Sequence, residues 1–117
     1  MNDLPAAELR HPALHRRVLA SFERQGMMLH LGALLVQVGP GLCVVELPYS
    51  DKLTQQQGGF HGGAIGALAD IAGGYAALTV APADAEVTTV EYKINFLASL
   101  RGGRLRATGR VLRAGKR

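Results

Sequence analysis

The chain has a single cysteine, Cys43, among its 117 residues. That count excludes an internal disulfide and any cysteine-based zinc site. Lying between Leu42 and Val44, the thiol reads as a small core residue. Long apolar runs are missing too, and nothing approaches the roughly 20 residues of a membrane span. The opening MNDLPAAELRHPALHRRV has no apolar stretch behind a basic head, so no signal peptide is read there. Aromatics make up only 5% of the chain and none lies in 101–117, which leaves nucleic acid without a stacking platform. These absences lead to the expectation of a soluble, cytoplasmic protein with neither membrane nor nucleic acid as partner.

Acids are absent from the tail. Residues 101–117 carry seven cations and no carboxylate, a net +7, whereas the first 100 residues set six cations against nine acids, a net −3. A basic stretch points to a phosphate-bearing partner. The bland alternative is a strand whose solvent face is arginine.

What is present fills one domain. Hydrophobic residues make up 48% and charged residues 19% of the chain, which is too apolar for disorder, and the length suits a single core spanning 1–117. Pro12, then Leu14, Val18 and Phe22 at helical spacing, then Gly26 as a stop, predict a helix over about 12–25. LHLGALLVQV (29–38) and GLCVVELPY (41–49) are β-rich runs around Gly39-Pro40-Gly41, a hairpin signal. Residues 50–60 read as a loop. A second helix is expected from His61-Gly62 to about Thr79, ended by Pro82 and burying Ile65, Leu68, Ala69, Ala72 and Ala76. Its five glycines make it weak in isolation, at about 1 kcal/mol for each interior glycine relative to alanine, so a sheet must cover it closely. Residues 86–98 alternate as a strand, and 104–114 alternate arginines with Leu105, Ala107 and Val111. The expected class is α+β with an antiparallel sheet wrapped around the helix. The chain stops directly after a strand, so that edge is expected to be shortened or covered by another chain.

Asp70 is the acid in this apolar helix. Its helical neighbours are Gly66, Ala67, Gly73 and Gly74, so the carboxylate stands on a face cleared of bulk. The small residues serve either close packing beside a solvent-facing aspartate or the approach of a ligand. His61-Gly62-Gly63 opens the same helix, where free N–H groups can hold a developing negative charge; a plain capping role for His61 is the simpler alternative. Donor and acid together point to acyl transfer or hydrolysis. Gly62 and Asp70 lie about 12 Å apart along one helix, too far for one carbonyl to touch both. If both act on one substrate, they come from two subunits related by a two-fold axis.

These residues resemble the hotdog-fold acyl-CoA thioesterases of the phenylacetate-degradation (PaaI-like) branch. The matching features are HGG at 61–63, Asp70 nine residues after the histidine, Gln55 six residues before it in LTQQQGGFHGG, and the following VEYKINFLASLRGGRLRATGRVLRAGKR. The resemblance covers roughly residues 20–117. It implies a hotdog fold, hydrolysis of an acyl-CoA thioester, a homodimer or dimer of dimers, and no metal or cofactor. It implies Asp70 as general base or nucleophile, the Gly62 N–H polarising the carbonyl from the other subunit, Gln55 positioning carbonyl or water, and His61 shaping the turn. Gly63, Thr88 or Thr89, Asn95, Arg101 and Arg104 would contact substrate, the arginines at the CoA phosphates. Two departures stand out. Gly74 occupies a position where some relatives carry a hydroxyl, and relatives continue past the position of Arg117 with at least one more strand. The alternative is a non-catalytic hotdog module that binds acyl-CoA; a dehydratase would need an acid–histidine pairing that is not evident.

Overall fold

The computed structural model describes residues 11–115. Helix α1 (Pro12–Phe22) starts with proline at its first turn and buries His15, Val18 and Phe22. It is shorter than the expected 12–25, because the chain turns after Phe22, with the Arg24 and Gln25 amides donating back to Ser21 and Phe22 carbonyls. Gly26 does not stop this helix; it opens a second, α2 (Gly26–Leu31), which Gly32 closes in the left-handed region at φ 83°. The first three residues of the 29–38 run are therefore helical, and strand β1 begins only at Leu34 (Leu34–Gly39).

The expected hairpin is present. β1 pairs antiparallel with β2 (Leu42–Pro48), with Gly39 opposite Leu42 and an irregularity between Leu35 and Gln37. Gly41 takes φ 66° in the turn, a conformation that favours glycine. A short 3-10 turn (Asp51–Leu53) follows. Helix α3 (Gly62–Thr79) then runs 18 residues with His61 as its N-cap, within a residue of the expected bounds. Its buried side includes Ala64, Leu68, Ala72, Tyr75, Ala76 and Leu78. Ala69, expected inside, is exposed, and Ile65 is half-buried.

Residues 86–98 correct the sequence reading most. They form no strand among the described residues. The segment alternates as a strand should, but no neighbouring backbone pairs with it. Instead it runs antiparallel along α3, with Thr89 at Asp70, Tyr92 at Gly66 and Phe96 at Gly62. The last strand, β3 (Arg104–Arg110), is shorter than the expected 104–114 and pairs antiparallel with β2. Among the described residues the sheet therefore has three strands in the order β1-β2-β3.

The core lies between this sheet and α3. Cys43, Val45 and Leu47 of β2 are fully buried and join Val18, Met28, Val38, Leu68 and Ala72 in one apolar cluster. Burial pushes the Cys43 thiol up to about 12, so it stays protonated and inert. A helix that is apolar on most faces needs such cover. Two polar contacts fix its far end. Thr79 Oγ1 accepts from the Gly41 amide at 2.8 Å, tying the helix to the hairpin turn. Arg17 reaches from α1 to four carbonyls around the C-terminus of α3: Leu78 and Ala81 at 3.1 Å, Pro82 at 2.6 Å and Ala85 at 3.2 Å. One guanidinium thereby ties α1 to the turn that follows α3, where the Leu78 and Pro82 carbonyls also accept from the Ala81 and Ala85 amides. No helix among the described residues is long and apolar enough to cross a membrane.

Candidate active site

The N-terminus of α3 is built by the loop before it. Thr54 bridges to Phe60, Tyr49 Oη donates to the Gly58 carbonyl at 2.6 Å, and the Tyr49 and Phe60 rings meet edge to face at 5.3 Å. The His61 amide donates to the Leu53 carbonyl at 2.7 Å, holding the chain extended up to the cap. His61 Nδ1 then accepts from the Gly63 amide at 2.7 Å, as N-cap side chains do. Gly63 is thereby committed to the cap. The Gly62 amide, one residue earlier, has no acceptor among the described residues, so it is the donor left over at the positive end of the helix dipole. Phe96 lies against it, and a Cβ at position 62 would come 3.2 Å from that ring.

Asp70 stands two turns further on, half-buried. Thr89 Oγ1 donates to its Oδ1 at 2.6 Å, a charge-assisted bond that fixes the carboxylate. Among the described residues no cation pairs with Asp70. Space opens on both sides of the acid. A cleft of about 370 Å³ runs between α1, α3 and the 86–89 segment, lined by Ser21, Gln25, Asp70, Tyr75, Thr88 and Thr89 among others. On the other side, Ala69, Gly73, Gly74 and Ala77 face residues 87–94 across a second opening of about 650 Å³. A Cβ at Gly73 or Gly74 would meet nothing within 4 Å.

The other residues singled out from the sequence lie apart. Gln55 sits in a tight turn, its amide donating to the Gly59 carbonyl at 2.9 Å and its side-chain oxygen accepting from the Gln57 amide; it does not line the Asp70 cleft. Thr88 lines the cleft, but its neighbour Thr89 makes the bond to the acid. Asn95 is exposed on the extended segment. Arg101 lies over Gly58. Arg104 and Arg106 both grip Glu46, each with a contact of 2.6 Å. The Arg104 and Arg106 hydrogen bonds hold the Glu46 carboxyl below the usual carboxylate range.

Three cleft residues escaped the sequence reading. Tyr75 Oη is 2.9 Å from Ser21 Oγ and accepts from Gln25 Nε2 at 2.9 Å. The signal for them was weak: one tyrosine in a helix of small residues, and two polar residues near the end of α1. Among the described residues, no three histidine, cysteine or acidic side chains gather as a metal site.

An antiparallel sheet folded over one long buried helix, with an acid in mid-helix and HGG at its start, defines a hotdog-fold protein of the thioesterase class. Residues 57–117 match the Thioesterase superfamily, and the chain belongs to that family. It is 33% identical over 91 residues to the 1,4-dihydroxy-2-naphthoyl-CoA hydrolase of Listeria monocytogenes, a match covering 78% of this chain and 74% of that protein. A Saccharolobus solfataricus protein that carries an esterase name is 44% identical over 81 residues, 69% of this chain and 57% of that protein. The chain spans only 51% to 62% of the length of three such esterase-named relatives. Among solved structures, a thioesterase family protein from Silicibacter pomeroyi superposes with a TM-score of 0.85 at 38% identity, covering 88% of this chain and 76% of that one. The PaaI protein of Escherichia coli gives 0.80 at 25% identity, covering 88% and 73%.

Proposed function

We propose that the protein hydrolyses acyl-CoA thioesters to free acid and CoA, as a homo-oligomer whose active site joins two subunits. One observation carries the reading. On a single apolar helix, an Asp70 carboxylate and a Gly62 amide, the one bonded only to the Thr89 hydroxyl and the other without an acceptor among the described residues, stand eight residues apart, about 12 Å by helix rise. With two such helices antiparallel, Asp70 of one subunit faces the Gly62 amide of the other across one thioester carbonyl.

The Gly62 N–H polarises the carbonyl and holds the oxyanion as it forms. Thr89 occupies Oδ1 of Asp70, leaving Oδ2 to act. As a general base, Asp70 takes a proton from water while the water oxygen bonds to the carbonyl carbon. The C–S bond then breaks, and the CoA thiolate takes up the proton. As a nucleophile, Asp70 would itself bond to that carbon, expel the thiolate and leave an anhydride for water to open. In single turnover in ¹⁸O-labelled water, label in the aspartate marks the second route, with water opening the anhydride at the aspartyl carbonyl, whereas the general-base route puts label only in the acid product. Gln55 positions carbonyl or water, and His61 sets the turn that presents Gly62. Gly63, Thr88 and Asn95 border the substrate. Arg101, with no carboxylate partner among the described residues, is better placed for a CoA phosphate than Arg104, which is bound to Glu46.

Thiol release from a panel of acyl-CoA esters, with wild type and Asp70→Asn side by side, tests this. Turnover is expected in the wild type and at least a hundredfold less in the variant, with the circular dichroism spectrum unchanged. Full activity in Asp70→Asn would refute it. Saturable binding of CoA esters with no turnover in either protein would replace it with a binding module.

A further inference from the structure

The cap of α3 is held by a side chain that titrates. His61 Nδ1 accepts from the Gly63 amide at 2.7 Å, and the His61 carbonyl accepts from the Ala64 and Ile65 amides at 3.0 and 3.1 Å. A backbone N–H only donates, so Nδ1 is the bare nitrogen and the neutral ring carries its proton on Nε2. The seat is close: a Cβ at position 63 would come 3.0 Å from Nδ1 and 3.3 Å from Cε1, so the ring lies over Gly63 and needs a glycine beneath it. The histidine is otherwise exposed. Asn, Asp, Ser and Thr are the usual side chains at this position. None of them changes charge near neutral pH, whereas histidine does so between about pH 5 and 8.

Protonation undoes this cap. The imidazolium carries a hydrogen on both nitrogens, so Nδ1–H would point at the Gly63 N–H, donor against donor. A positive charge would also stand at the positive end of the helix dipole. Both conflicts are relieved when the ring swings out into water, which its exposure permits. The Gly63 amide then joins the Gly62 amide in having no acceptor. Two successive glycines without a cap are free to change φ and ψ, and the direction of the Gly62 N–H changes with them. No neighbouring charge takes over from the ring. The charged side chains on the elements packed here are Asp51 and Lys52 in the turn before it, Arg101 in the link over Gly58, and Glu91 and Lys93 on the segment along α3. None of them bonds to His61 among the described residues.

We propose that His61 is a positioning residue whose protonation switches off the Gly62 donor: the neutral ring holds that N–H in place, and the imidazolium releases it. The effect on rate rests on the hydrolysis proposed above, in which Gly62 polarises the carbonyl. The coupling between ring and helix cap does not. Hydrolysis then fails in mild acid for a reason separate from the protonation of Asp70.

Nuclear magnetic resonance tests the coupling on the wild-type protein alone. At about pH 8 the ring nitrogen shifts are expected to place the proton of neutral His61 on Nε2. Protection of the Gly63 amide against hydrogen exchange, corrected for the intrinsic pH dependence of exchange, is expected to fall about tenfold as the ring titrates. A neutral ring with its proton on Nδ1, or protection at Gly63 that ignores the titration, would overturn the inference. His61→Asn carries the activity test, because asparagine caps helices without titrating; His61→Ser, another such cap, replaces it if that variant does not fold. The readout is the shape of the pH profile and not the absolute rate. For one acyl-CoA ester, the ratio of wild-type to variant kcat/KM is expected to fall roughly tenfold between about pH 8 and pH 5.5, part of the hundredfold or more that loss of an oxyanion donor costs. Losses caused by Asp70 are common to both proteins and cancel in the ratio. A ratio that stays constant with pH would overturn the inference and leave the hydrolysis reading standing. If no ester is turned over, the hydrolysis reading fails, and the resonance measurements decide the inference by themselves.

Discussion

Gly109 is where the sheet and the central helix come closest, and replacing it tests the packing that positions the site. The residue is buried in β3, opposite Cys43 of β2. A Cβ built there falls onto the Ala72 carbonyl and 2.8 Å from the Gly73 nitrogen. These are backbone atoms in mid-helix, bound into the i to i+4 ladder, so they cannot swing aside as a side-chain tip would. Gly109→Ala must push β3 off α3, and overpacking of this kind costs 1–3 kcal/mol or more. Because the obstacle is main chain, we take about 3 kcal/mol. The smaller entropy of the unfolded alanine chain returns at most about 1 kcal/mol, leaving a net loss of about 2–3 kcal/mol. With a urea m-value of about 1.5 kcal/mol per M, the midpoint falls by about 1.5–2 M, and the thermal midpoint drops by about 10 °C. Circular dichroism at 222 nm during urea and thermal unfolding measures both. Gly102→Ala serves as the control, since a Cβ there meets nothing within 4 Å and the change is expected to fall within about 0.5 kcal/mol. If Gly109→Ala melts within about 2 °C of the wild type, the close approach of strand to helix is refuted.

Arg17→Met keeps the length of the side chain but removes its hold on the carbonyls of Leu78, Ala81, Pro82 and Ala85. Stability is expected to fall by about 1–3 kcal/mol, with faster amide exchange confined to residues around 80–85, and uniform protection there would count against the role. Glu46 supplies a pH dependence. Arg104 and Arg106 hold its folded pKa below the unfolded value of about 4.3, so the stabilisation is fully present above that value and is lost as pH falls through the folded one. The thermal midpoint of Glu46→Gln should therefore lie below that of the wild type at neutral pH, begin to converge with it as pH falls below the unfolded value, and meet it only below the folded pKa; a gap that stays constant with pH would refute the ion pair as its cause. Thr89→Val removes the donor on Asp70 at nearly constant shape. It is expected to lower kcat about tenfold with little change in KM, Thr89→Ser restoring most of the rate, and an unchanged kcat would remove Thr89 from the site.

Local signals in the sequence held wherever the structure depends on local causes. α3 was legible because His61 can cap it, because Pro82 cannot continue it and because small and apolar residues repeat between them. The hairpin was legible from Gly39-Pro40-Gly41. The failures fall where a short apolar run fits either periodicity, or where pairing depends on what lies alongside. Leu29 to Leu31 were read as the start of a strand; Gly32, which ends the helix in the left-handed region, was the overlooked sign. Residues 86–98 carry strand alternation, but alternation marks only a chain ready to pair. With no strand beside it among the described residues, the segment lies along α3 and delivers Thr89 to Asp70. The arginines of β3 alternated as expected, yet the convergence of two of them on Glu46 was not legible, because a cross-strand partner depends on register.

The glycines of α3 also separate into two groups that the sequence could not distinguish. Gly62 and Gly66 are small because this chain uses the room: Phe96 lies over one and the Tyr92 hydroxyl over the other, 3.1 Å from where a Cβ would stand. Gly73 and Gly74 face nothing within 4 Å, and they flank Asp70. A carboxylate in a largely apolar helix is unfavourable unless it is compensated. This chain has the means to compensate one, as Glu46 with its two arginines shows. Asp70 receives a single hydroxyl and no cation among the described residues, and the space beside it stays open. Close packing of the chain upon itself explains Gly62, Gly66 and Gly109, but it does not explain Gly73, Gly74 and an acid left without a cation. Access for a ligand or a second helix explains all three.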